Sequence, residues 1–463
     1  MTVTPAEEAS EAFVPVEPPP LPAARPRLGP GIRVNVQGRS VTLRRLRRPP
    51  AGVFRLLALL GPGLIAGAAG DDAGGVATYS QIGAQFGYQL LWVLVLITVS
   101  LAAVQEMSAR LGAATGSGLL DLIRQRFGVG WAFLAAAIVL VANAGLIMSE
   151  FVGIGAAGDL FGISPALLVP LAALVVWYLV IGGSYGPVEK IFLAMSLVFF
   201  AYPVAAILAH PRWTAVARGA FVPTIQPSSA YILLLVGLIG TTITPYQQLF
   251  QQSAVVEKGV ARGSYGPERA DTYVGMVFSN LMSAFMIIAT AATLHVAGKT
   301  NIATAAEAAQ ALQPLAGSAA KALFAVGLLG ASALAAAVLP LATAYAISEV
   351  FGFPKGVNLD FRRGRFFLGL FTVLVVLGAG LALIPHLPVI QLLVWIQVLN
   401  AILLPVILWF ILRLANDRRL VGELHNSRAD NVLGYGTFAL VTAAVLVLVA
   451  NQLLGLVGVR LLG

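Results

Sequence analysis

The sequence predicts an all-α protein that crosses a membrane about eleven times, built from two five-helix repeats of opposite orientation. Three observations predict it. Of 463 residues, 58% are hydrophobic and only 11% charged, with a mean hydropathy of +0.87; a soluble domain carries about 25% charged residues. The apolar runs are about 20 residues long and lack period-2 alternation, which selects helices over barrel strands. Two of those runs, far apart in the chain, are interrupted by polar and helix-breaking residues at equivalent places. This composition excludes a soluble enzyme, a disordered chain and a fibrous one. With no cysteine, disulfides, thiolate metal sites, iron–sulfur clusters and thiol nucleophiles are excluded as well. The four histidines, His210, His295, His386 and His425, are scattered without ligand spacing.

Residues 1–50 form a separate Pro/Arg-rich segment. The stretch VEPPPLPAARPRLGPG is too proline-rich to pack, so the segment is expected to be disordered. Its start is acidic and has no apolar core, so no cleavable signal peptide is expected. Arg44, Arg45, Arg47 and Arg48 precede the first span and read as a topology signal and anionic-lipid contact rather than a nucleic-acid site.

Residues 51–463 form the membrane domain. The spans are expected at 55–84, 88–111, 131–157, 164–183, 188–209, 230–254, 272–297, 318–349, 366–384, 388–413 and 434–459. The repeats cover about 55–209 and 230–413, and 434–459 is an extra helix. With the N-terminus in the cytoplasm, all but five of the 29 basic residues fall on the cytoplasmic side, as the positive-inside rule requires. The exceptions are Arg212, Arg218, Lys299, Lys321 and Arg460. An odd span count leaves the C-terminus outside. Arginine bias and the absence of eukaryotic signals point to a bacterial inner membrane.

The first span contains GPGLIAGAAGDDAGGVATYSQIGAQFGY. Asp71 and Asp72 sit near its middle among Gly70, Gly74 and Gly75. A carboxylate at mid-bilayer costs roughly 2.5–3.5 kcal/mol on insertion scales, and intramembrane acids mark ion paths. Two together repel unless a cation or proton neutralises them. The sixth span reads YILLLVGLIGTTITPYQQLFQQSA. Pro245 removes a backbone donor and disrupts the helix before it. Thr241, Thr242, Thr244, Tyr246, Gln247, Gln248, Gln251 and Gln252 make its second half polar, and Gln247 and Gln251, one turn apart, share a face and are the pair expected to face the pore. The breaks lie about 170 residues apart in spans 1 and 6. Five spans of offset invert the second half, the pattern of inverted-repeat carriers that hold substrate between discontinuous helices. Glu106 and Arg110, one turn apart in span 2, are expected to pair as helix-end structure.

The block GPGLIAGAAGDDAGGVATYSQIGAQFGYQLLWVLVL with QEMSARLG resembles the first two spans of the Nramp (natural resistance-associated macrophage protein) metal transporters, and the order of spans matches over 55–413. The resemblance implies a fold like that of the amino-acid transporter LeuT and divalent cations as substrate. The family carries Asp-Pro-Gly-Asn in span 1 and Met-Pro-His in span 6. Here the aspartate falls on Asp72, the proline on Ala73, the glycine on Gly74 and the asparagine on Gly75. The methionine falls on Thr244, the proline on Pro245 and the histidine on Tyr246, and the carbonyl completing the site falls on Thr241. The family's acid pair in span 3 falls on Ile147 and Glu150, and the polar residue of span 10 on Gln397, with Asn400 one turn later.

These departures have a physical reading. A thioether is a soft ligand, whereas Thr244 offers only oxygen. Gly75 leaves room. Asp71 attracts the ion without an acidic counterpart in the family motif. The site is therefore expected to be hard, acidic and wide, fit for a largely hydrated Mg²⁺, with Mn²⁺ similarly oxygen-loving. In this the chain resembles the branch called Nramp-related magnesium transporters. Tyr246 is a poor proton shuttle and Ile147 none, while Glu150 lacks its partner, so uptake driven by membrane potential is expected. A dication gains about 4.6 kcal/mol per 100 mV. The alternatives are a proton-coupled Mn²⁺/Fe²⁺ importer and an organic-amine symporter on the same fold. An intramembrane enzyme is not expected, since no Ser–His or metal–His set is present. No cofactor or nucleic acid is expected, the metal being substrate, the bilayer the surroundings and the chain a monomer.

Overall fold

Lipid offers no hydrogen bonds, so a long apolar run must satisfy its backbone within itself and folds as a helix. The computed structural model of the chain describes residues 32–36, 39–43, 72–182, 201–260, 262–354, 362–385 and 387–456. Its helices are α1 (Ala73–Phe86), α2 (Leu91–Thr115), α3 (Leu119–Phe127), α4 (Val129–Leu160), α5 (Pro165–Ile181), α6 (Ala201–Leu208) and α7 (Trp213–Phe221). They continue as α8 (Ser229–Thr242), α9 (Pro245–Glu257), α10 (Tyr265–Thr290), α11 (Ala320–Phe351), α12 (Arg365–Ala382), α13 (Val389–Ala415) and α14 (Arg428–Leu456). Among the described residues, eight segments are long and apolar enough to cross a membrane, and α5 is a shorter apolar helix. The expected spans 2–4 and 6–11 each coincide with such a helix. The first half of span 1, with Asp71, and residues 183–200 of spans 4 and 5, with Lys190, lie outside the described residues, as do the proline-rich stretch, Arg44 to Arg48, His386 and Arg460.

Within residues 1–50, only 32–36 and 39–43 are described. Ile32–Val36 (β1) and Arg39–Leu43 (β2) pair antiparallel, with Ile32 opposite Leu43 and Val36 opposite Arg39. The reason is visible in IRVNV and RSVTL. β-Branched residues alternate with polar ones at period 2, and two residues separate the runs. These strands belong to a unit of their own, Met1–Ala58, described apart from the helices.

In the helical unit, α11 packs along α4, α8 along α13, and α2 against α9 and α10, while α1 lies against α10 and α13. Alanine and glycine fill the α4 and α11 faces, letting backbones approach as membrane helices do. Basic residues gather at one end. There Arg262 Nε donates to the Ala114 carbonyl (3.0 Å) and Arg124 Nη1 to the Val350 carbonyl (3.1 Å). The expected Glu106–Arg110 pair forms at 3.2 Å. Asp430 and Asn426 also hold Arg110.

At the same end a cap appears that no local pattern encodes. Glu349 of α11 is buried at the start of α3, accepting from Leu120 N (3.2 Å) and Ser253 Oγ (3.4 Å). It supplies from another helix the acceptor that Gly118, at the N-cap, lacks. Glu349→Ala is expected to destabilise the protein by about 1–2 kcal/mol, the usual worth of a lost cap. The check is the thermal unfolding midpoint in detergent, and an unchanged midpoint would refute the cap.

Candidate metal-binding site

Asp72 is itself extended (φ −72°, ψ 179°) and is the N-cap of α1, its Oδ1 accepting from Gly75 N at 2.6 Å. Its side chain is 1% exposed. Aspartate is among the best N-caps because its oxygen satisfies a backbone donor that the helix leaves free. The expected role of Gly75 changes accordingly, its N–H binding the carboxylate directly.

Glu150 converges on the same helix start. Its Oε2 accepts from Ala73 N (3.2 Å) and its Oε1 from Ser149 Oγ (3.0 Å). Two buried carboxylates thus share one helix N-terminus, whose partial positive charge favours anions. Only Glu150 was readable as an acid in span 3; its target and its Ser149 partner were not. The serine next to the glutamate was the one available signal.

Gln397 of α13 closes the other side. Its Nε2 donates to both Asp72 oxygens, at 3.1 and 3.4 Å, while Asn400 Nδ2 donates to Gln397 Oε1 at 3.0 Å. Two glycines make this approach possible. A Cβ on Gly74 would overlap the Gln397 amide, and a Cβ on Gly240 would overlap the Gln397 carbonyl. Gln397 therefore bridges the start of α1 to the last turn of α8.

The break in span 6 is present. α8 stops at Thr242, Ile243 (φ −114°, ψ 80°) and Thr244 (φ −88°, ψ 145°) are non-helical, and α9 restarts at Pro245. Proline has no N–H, so the Thr241 carbonyl four residues earlier loses its helical donor. The Thr241, Thr242 and Thr244 hydroxyls are buried without a hydrogen-bond partner among the described residues. Asp71 lies outside them.

The glutamines of α9 serve mainly to hold this half-helix. Gln247 Oε1 accepts from Thr244 N (3.4 Å) beside the break. Gln251, expected on the same pore face, donates instead to Thr272 Oγ1 of α10 (3.1 Å). Gln248 donates to Gln105 Oε1 of α2 (3.3 Å), and Gln252 to the Ser117 carbonyl (2.9 Å). Tyr246 is buried in an apolar cluster with Ile147, Phe151 and Phe371.

The void against Ala73, Val76 and Gly153 measures about 10 Å³, near the least that holds one water. The space left by Gly74 is filled by the Gln397 amide. No group of three or more His, Cys, Asp or Glu stands together among the described residues. A cation held here would meet carboxylate, amide, hydroxyl and carbonyl oxygens only.

Known proteins resemble this chain in sequence and fold. A family model described as natural resistance-associated macrophage protein-like matches residues 63–451. The divalent metal cation transporter MntH of Yersinia pestis is 31% identical over 390 residues, covering 82% of this chain and 91% of the relative. That of Klebsiella pneumoniae is 30% identical over 408 residues, covering 86% and 95%. In fold, the chain is similar to an Eremococcus coleocola manganese transporter, with a TM-score of 0.69 at 20% identity over 89% of this chain and 90% of the other. It is also similar to the nucleobase-cation symporter Mhp1, with a TM-score of 0.54 at 14% identity over 87% and 94%. The expected LeuT-like, all-helical membrane fold is therefore met. The extent of the family match and the identity to these relatives establish that this multi-pass membrane protein belongs to the Nramp family.

Proposed function

We propose that the chain carries a divalent metal cation across a bacterial inner membrane, by alternating access around the start of α1 and the Ile243–Thr244 break. The observation that carries this reading is the convergence of Asp72 and Glu150 on one buried helix N-terminus with only neutral donors on them. A dication offsets the mutual repulsion of such a pair where a monocation or an organic anion does not. Gln397 Nε2 now occupies the face of Asp72 that a cation would take, so loading requires the amide to turn and present oxygen.

Mn²⁺ is the cargo the comparisons favour, since the structural neighbour is named a manganese transporter and the relatives divalent metal cation transporters. Oxygen-only donors suit Mn²⁺. Mg²⁺ is a second reading, supported by Thr244 at the position where the family carries a thioether. Uniport is supported by Tyr246 and Ile147, which stand where the family carries a histidine and an acid and belong to one buried cluster. The clustering of basic residues at one end supports a cytoplasmic N-terminus. The chain is taken to act as a monomer.

Proteoliposomes with an imposed inside-negative potential and an internal pH dye test this. Mn²⁺ influx should rise with potential and leave the internal pH unchanged. Acidification in step with Mn²⁺ entry would establish proton coupling, and absence of both Mn²⁺ and Mg²⁺ flux would remove the transport reading.

A further inference from the structure

At the end opposite the basic loops, the turn after α1, the segment entering α7 and the end of α10 enclose a cavity of about 810 Å³. Its polar lining includes Arg212, Arg218, His210, His295, Gln89 and Gln226, and no Asp or Glu lines it. Neither arginine forms an ion pair among the described residues. The walls are fixed by their own hydrogen bonds. Gln226 Nε2 donates to Gln89 Oε1 (2.6 Å), Trp92 Nε1 donates to the Thr224 carbonyl (3.1 Å), and His295 Nδ1 lies 2.8 Å from the Ala84 carbonyl. The rim is apolar. Trp213 is 49% exposed, Phe221 76% and Ile225 70%. Exposed aromatic and aliphatic side chains beside arginines place a segment at the level of lipid headgroups.

We propose that this cavity binds the phosphate of an anionic lipid headgroup, with Arg212 and Arg218 as its charge partners. A concave site with two unpaired guanidiniums and no acid selects an oxyanion, and the guanidinium fork matches phosphate geometry. The exposed Trp213, Phe221 and Ile225 supply the surface along which the acyl chains lie, which a free anion would not need. The site accounts for two of the five basic residues that break the positive-inside pattern. It stands on its own lining and does not depend on the transport reading.

Native mass spectrometry of the full-length protein equilibrated with equal amounts of phosphatidylglycerol and phosphatidylcholine tests the proposal. Wild type should retain phosphatidylglycerol with about tenfold preference, in keeping with two cations at an anionic surface. Arg212→Gln/Arg218→Gln should retain the two lipids equally, while Arg212→Lys/Arg218→Lys, which keeps the charge, should keep most of the preference. Equal retention by wild type, or a preference that survives the glutamine pair, overturns the proposal. Inorganic phosphate titrated calorimetrically into delipidated protein should give no saturable heat. Saturable binding that the glutamine pair abolishes would make the occupant a free anion and overturn the lipid assignment.

Discussion

Asp72→Asn is expected to lower cation flux by about a hundredfold, the equivalent of about 2.8 kcal/mol at 1.4 kcal/mol per decade, while leaving the fold intact. Asparagine caps a helix as well as aspartate does, so the bond from Gly75 N (2.6 Å in the native protein) persists. Gln397 can likewise still donate to the remaining carbonyl oxygen. What disappears is the negative charge on which a buried dication depends. Transport assayed in proteoliposomes, with the thermal unfolding midpoint measured beside it, separates the two effects. Full flux in the variant would remove Asp72 from the cation path. Lost flux with an equally lost fold would show that the carboxylate is structural.

Gly74→Ala should lower flux by about tenfold through a steric route. The added methyl group would overlap the Gln397 amide. The side chain must then swing away from Asp72, and inserting even one carbon into a packed core typically costs about 1–3 kcal/mol. Gln397→Ala removes the obstacle together with the donor to Asp72. The double variant Gly74→Ala/Gln397→Ala should therefore be no worse than Gln397→Ala alone, a non-additivity expected of residues in contact. Strictly additive losses would show that Gly74 acts elsewhere than through Gln397.

The break in span 6 was legible because its cause is local. Pro245 lacks a donor wherever it sits, and glycines flanking an aspartate weaken a helix in any surroundings. The alternating IRVNV and RSVTL runs were equally local, yet the neighbouring proline-rich stretch masked them. The pore face assigned to Gln247 and Gln251 was a weaker inference. Helical spacing says that two side chains share a face, but not which neighbour that face meets. For Gln251 the neighbour is Thr272. Space around Asp72 is likewise decided by tertiary contacts. A glycine at position 74 signals space, but the Gln397 side chain, distant in the sequence, fills it.

By itself the sequence determined that the chain lives in a membrane, where the described helices of spans 2–4 and 6–11 run and where span 6 is interrupted. The bilayer leaves a backbone no partner but itself, so hydrophobic length and missing donors are sufficient information. Only the tertiary structure decided that Glu150 reaches the N–H of Ala73, that Gln397 spans from Asp72 to Gly240, and that Arg212 and Arg218 face one acid-free cavity. Those meetings depend on how helices cross and which small residues let them approach. No period or spacing along a single chain carries that information.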